Sequence, residues 1–227
     1  MVKKLLKILA FIAAIILLFA GFVAYRAYRF YSSVFRITYE QAISALPETP
    51  SGCVKLMDCK LQPGDILIRR YVTPVTEAFY ETLNPYFTHT AFYMGNGEIF
   101  EAVGNYTAPQ DQIVVEKLSE TDWARDDVAD FVIVRPKNYG SHLDSIISDL
   151  RDIADDPRYV FGPLTDGKTM VSCSDIILKY FTDYGMIAPD PKKPFYITPD
   201  YLYYVTTKDP ADFAIPGYSL AKESPSP

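Results

Sequence analysis

The chain changes its hydrophobic rhythm along its length. From Ile8 to Tyr25 no charged side chain interrupts the sequence. That run is apolar on every face and, at roughly 1.5 Å per residue, long enough to cross a bilayer as a helix. After it, apolar residues come in short β-branched and aromatic bursts. "LQPGDILIRRY" gives a turn at Pro63-Gly64-Asp65 and a strand over Ile66 to Arg70. "FTHTAFYMGNGEIFEAVG", Phe87 to Gly104, reads as two apolar strands around a glycine turn, and "DQIVVEKL" and "DFVIVRP" read as two further strands. A helical period replaces this in "SHLDSIISDLRDIADD", where Leu143, Ile146, Ile147, Leu150, Ile153 and Ala154 fall on one stripe. "CSDIILKYFTDYG" is the next helix, with Gly185 as its C-cap.

Between these elements, "TYEQAISALPETPSG" predicts a short amphipathic helix and then a linker. Residues 74–84 predict a helix that breaks at Asn84-Pro85. "YVFGPLTDGKTM" reads as loop. The proline-rich tail reads as a surface wrap with a frayed end, "KESPSP". The pattern predicts an α+β domain, an antiparallel sheet packed with helices, preceded by one N-terminal transmembrane helix. The expected division is a membrane anchor over 1–30, a linker and short helix over 31–60, and the main domain over 61–227.

Lys3, Lys4 and Lys7 precede the apolar run, and Tyr25, Tyr28, Phe30 and Tyr31 follow it as an interfacial belt would. A cleaved signal peptide would have a shorter run and a small-x-small site, which "FAGFVAYRAYR" supplies poorly. The expectation is an uncleaved, single-pass anchor. Arg26, Arg29 and Arg36 on the far side nearly balance the lysines, so charge alone does not set the orientation. Cys53 and Cys59 lie six positions apart in a turn-rich segment. A disulfide between them would place the domain in an oxidising compartment, periplasmic or extracellular; two unpaired surface thiols are the alternative. The remaining composition is globular, with 49% hydrophobic and 22% charged residues. A net charge of −6 leaves no basic patch for nucleic acid.

Candidate chemistry resides in three side chains. Cys173 opens a helix, where the partial positive charge of the N-terminus favours a thiolate. His89 lies in the first strand of the hairpin and could accept the thiol proton. Glu101, in the second strand, could bond the other ring nitrogen and steady an imidazolium. Strand parity decides whether the last two meet. A three-residue loop, Gly95-Asn96-Gly97, sets Met94 opposite Glu98 and Ala91 opposite Glu101, with His89 and Glu101 diagonal on one face. A two-residue loop of Gly95-Asn96 puts them on opposite faces. The pairing therefore predicts the longer loop, with Gly97 left-handed. A metal held by the same three residues is the competing reading, but no further ligand has the usual spacing, so no metal or cofactor is expected. The bland reading of each residue alone is a buried thiol, a hydrogen-bonded core histidine and a solvent-facing carboxylate.

"GDILI", "THTAFYMGNGEIFEAVG", "YVFGP", "VSCSDIILKYF" and "ITPDYLYY" together resemble the permuted NlpC-type papain-like cysteine hydrolases, the YiiX-like group. The resemblance runs from about Leu61 to Tyr204. It implies a circularly permuted papain-like fold, since His89 precedes Cys173. It also implies Cys173 as nucleophile, His89 as base and Glu101 as the third polar residue. Tyr159 matches a tyrosine near the site in that group, although the "YD" of many members is "YV" here. The implied activity is cleavage of an amide, in a peptide or cell-wall peptide, by a cysteine hydrolase. A lipid-directed acyltransferase or thioesterase, and a non-catalytic ligand-binding module of the same fold, are the alternatives. Expected partners are an amide- or acyl-containing substrate and, through the N-terminal helix, a membrane.

Overall fold

A computed structural model describes residues 2–48, 53, 55–70, 85–103, 113–125, 130–160, 169–170, 172–194, 196–208 and 210–220. The helix expected over 74–84 and the tail end over 221–227 lie outside these. The chain forms two compact units, Met1–Val34 and Phe35–Pro227. The first is one helix, α1 (Val2–Ser33). Its window Phe11–Tyr28 is long and apolar enough to cross a membrane, a test that a signal sequence near the N-terminus also passes.

The second unit is α+β. Strands β1 (Ile66–Arg70), β2 (His89–Gly95), β3 (Glu98–Ala102), β4 (Ile113–Lys117), β5 (Asp130–Pro136) and β8 (Phe213–Ser219) form one sheet in the order β4-β3-β2-β1-β5-β8. Every neighbouring pair is antiparallel. Both faces are covered, which is why β1, β2 and β5 read as nearly continuous apolar runs. One face, with Ile66, Ile68, Phe92, Phe100, Val132 and Val134, packs in a core with three helices. These are α3 (Leu143–Asp155), α4 (Cys173–Asp183) and α5 (Pro199–Thr207). The expected stripe of α3 is the buried one, centred on Ile146, Leu150 and Ile153. The other face, with Leu67, Ala91, Ile99, Phe131 and Ile133, is covered by Cys53, Leu56, Leu118 and Trp123.

The hairpin departs from expectation in an instructive way. Its loop is two residues, Asn96 and Gly97, at φ 54° and 77°. Positive φ at both positions is what a type I′ turn needs, and Asn-Gly is the pair that tolerates it. The register is Ala91↔Glu101, Phe92↔Phe100 and Tyr93↔Ile99, but Gly95, not Met94, pairs with Glu98. Met94 is the extra residue of a bulge. The bulge does the work assigned to a third loop residue, so the parity that puts His89 and Glu101 on one face is kept.

Three further parts of the unit differ from the sequence reading. The stretch read as linker and short helix is packed into the unit. Helix α2 (Tyr39–Ser44) opens on a Thr38–Gln41 capping box, and the Tyr203 hydroxyl donates to Ala42 O at 2.6 Å. The tail, read as a surface wrap, supplies α5 and the edge strand β8. Helix α5 is capped by Thr198 with Pro199 in its first turn, and Pro216 is tolerated because β8 is an edge with a register slip opposite it. Tyr159–Val160 and Thr169–Met170, in the segment read as loop, pair as short parallel strands β6 and β7. Cys53 and Cys59 are joined in a disulfide, with Cα atoms 5.2 Å apart. The bridge lies against β8 at Gly217, where a Cβ would come within 2.6 Å of Cys53 Sγ.

Candidate active site

Cys173 is the first residue of α4. Ser172 caps that helix, accepting from the Asp175 N–H at 3.1 Å. The first N–H groups of a helix have no partner within it, so the sulfur stands at the positive end of the dipole. Strand β2 runs beneath this end. Its Thr90 donates to the sulfur through both backbone N–H and hydroxyl, and His89 hydrogen-bonds it from the preceding position. The Ser174 hydroxyl is 3.7 Å from Sγ and 3.3 Å from Thr90 Oγ1.

On its other side the His89 ring meets Glu101, Nε2 to Oε2 at 2.6 Å. The carboxylate also accepts from the Trp123 indole N–H at 2.8 Å. The Trp123 ring carries the Arg69 guanidinium on its face, 4.2 Å from the centroid, and stands 5.7 Å from the His89 ring. Glu101 is 5% exposed, His89 14% and Cys173 8%, so the trio is largely shielded from water, the histidine least.

These contacts set the charges. Burial pushes the Cys173 thiol up, but the bond and charge of His89, then the Thr90 donors, bring it down to about 7. Burial pushes the His89 imidazole down, yet Cys173 and then Glu101 raise it to about 9. Burial works against the Glu101 carboxylate, and His89, Trp123 and Glu116 hold it below the ordinary range. Between about pH 7 and 9 the pair therefore rests as thiolate and imidazolium, a nucleophile beside a proton donor.

A second carboxylate orders the approach to this site. Asp200, wholly buried in the first turn of α5, accepts from the N–H groups of Tyr86 and Phe87 at 2.9 and 2.6 Å, and of Ile37 at 3.1 Å. It ties the chain entering β2, just before His89, to α5 and to the segment before α2.

The structure thus brings Cys173, His89 and Glu101 together. Tyr159 packs against the core cluster that holds Cys173. It is half-buried in β6, opposite Thr169, with Tyr180 among its charge neighbours. Sequence reasoning missed Trp123, Thr90, Ser174 and Asp200. The chain has one tryptophan, and that rarity is the only signal that could have marked the indole. Among the described residues no group of three or more His, Cys, Asp or Glu is disposed to hold a metal.

No family model matches the chain, and no curated protein matches it. Among solved structures, the crystal structure of the metalloprotein YiiX from Escherichia coli O157:H7 is similar at a TM-score of 0.39 and 18% identity, over 72% of this chain and 98% of that one.

Proposed function

We propose that this chain is a cysteine hydrolase that cleaves an amide bond, in a peptide or cell-wall peptide, through Cys173, His89 and Glu101. What supports the reading above all is the single line of contact from a sulfur at a helix N-terminus to an imidazole to a buried carboxylate. Cys173 Sγ attacks the carbonyl carbon, and the carbonyl π pair moves to oxygen. The resulting oxyanion is stabilised at the N-terminal end of α4, with the backbone N–H of Cys173 as a donor. The His89 imidazolium gives its proton to the leaving amine as the C–N bond breaks. Nε2 is committed to Glu101, so Nδ1 is the nitrogen that faces the sulfur and the substrate. Water then attacks the thioester, with His89 taking its proton, and the acid leaves as sulfur recovers its electron pair. Glu101 keeps the ring oriented and balances its charge throughout.

The order of the groups, histidine strand before cysteine helix, together with the antiparallel sheet, favours a circularly permuted papain-like arrangement of the YiiX-like type. The Cys53–Cys59 bridge favours an oxidising compartment and so a domain outside the cytoplasm, and α1 favours a membrane anchor. The same helix favours a second reading, a lipid-directed acyltransferase or thioesterase. The test is to incubate the full chain in detergent with purified peptidoglycan and, separately, with phospholipid vesicles, using Cys173→Ala as control. New amino groups from peptidoglycan, absent with the variant, are the expected result. Cysteine-dependent release of fatty acid selects the lipid reading. No cysteine-dependent product from either leaves a ligand-binding module.

A further inference from the structure

Glu116 occupies a position that the mechanism above does not use. In the β3–β4 register Glu101 faces Val114 and Ile99 faces Glu116, so alternation puts Glu116 and Glu101 on the same face, diagonal to each other. The two carboxyl groups are in hydrogen-bond contact. Two carboxylates cannot bond to each other; one must carry the proton. Glu101 is the one held as an anion, because the His89 ring and the Trp123 indole both donate to its Oε2. That leaves Oε1 for a third donor.

We propose that Glu116 is a proton-bearing positioning residue of this site, its carboxyl hydrogen donated to the Glu101 carboxylate so that Glu101 is held from its second oxygen while it holds His89. The proposal rests on the Cys173–His89–Glu101 reading and adds a fourth member to it. The surroundings favour a protonated Glu116 at and below neutral pH. Half burial and the Glu101 contact raise its carboxyl to about 7, with Asp122 and Glu120, in the short turns after β4, adding negative charge. The cations on this face lie beyond Glu101 and Trp123: the His89 ring on β2 and the Arg69 guanidinium on β1. Above neutral pH Glu116 loses its proton, and a second negative charge then strengthens the hold of the imidazolium on its own proton. Glu116 therefore widens the pH range over which His89 stays charged.

Two readouts on the full chain in detergent test this. The infrared difference at pH 6 between wild type and Glu116→Gln should show one protonated-carboxyl band that the variant loses, the band of buried Asp200, which burial pushes up to about 6, being common to both. With only two histidines in the chain, the His89 ring can be titrated by NMR. In Glu116→Gln, which keeps a donor but gains no charge, its midpoint should fall by about one pH unit. An unchanged band together with an unchanged midpoint overturns the proposal. A wild-type His89 midpoint near that of a free histidine would instead contradict the thiolate–imidazolium reading, and the infrared band alone would then decide on Glu116. Its persistence in Glu116→Gln would count against the proposal, and its loss would support a protonated Glu116.

Discussion

Replacing His89 with alanine should change the reactivity of Cys173 in a way that depends on pH and reverses sign. In the wild type the thiol sits at about 7, so close to half of it is thiolate at pH 7. Without the ring, burial is opposed only by the Thr90 donors, and the thiol returns to about 9 or higher. The thiolate fraction at pH 7 then drops about 50-fold. A more basic thiolate is also a better nucleophile, by about 8-fold for two units at the usual Brønsted slope. Together these predict alkylation by iodoacetamide about 6- to 20-fold slower in His89→Ala at pH 7. At pH 10 both sulfurs are largely ionised, and the variant should react faster than the wild type. Easier access through the space left by the ring would multiply the variant's rate equally at every pH, so the crossing survives it. The assay is the rate of Cys173 modification by mass spectrometry from pH 6 to pH 10. A ratio of the two rates that stays constant with pH would refute the ion-pair reasoning.

Other consequences follow from the same contacts. Turnover of any amide substrate should give a bell in kcat/KM, rising as Cys173 loses its proton near pH 7 and falling as His89 loses its proton near pH 9; a profile that only rises would remove His89 as proton donor. Trp123→Phe keeps a ring under Arg69 but removes a donor from buried Glu101. It should cost about 1–3 kcal/mol of stability in urea titrations, and an unchanged midpoint would show that the indole contact is idle. Asp200→Ala strands three backbone N–H groups at once and should cost about 3–5 kcal/mol, read the same way; a loss below about 1 kcal/mol would mean that other groups or water satisfy them.

The parts of the site legible in sequence were those carried by local pattern. Alternation marked the hairpin and set His89 and Glu101 on one face, and the first-turn residues and Gly185 marked the helix behind Cys173, but only the family resemblance brought the thiol to the other two. Parity was predicted for the right pair through the wrong device, because a bulge at Met94 and a longer loop have the same effect on alternation and leave the same glycines. The residues that tune the trio were not legible. Trp123 reaches Glu101 from a 3-10 turn, and Asp200 holds the chain before His89 from an α-helical turn far along the sequence, and no spacing rule links either to His89. The tail was misread because Pro199 and Pro216 look like breakers, yet one starts a helix and the other sits on a sheet edge, the two places where proline is tolerated.

The most direct test of the central claim is the ultraviolet absorbance of the Cys173 thiolate, measured against pH in the full chain with Cys173→Ser as the blank. The account predicts a midpoint near 7 that moves to about 9 or above in His89→Ala. A wild-type midpoint already at 9 or higher would contradict it.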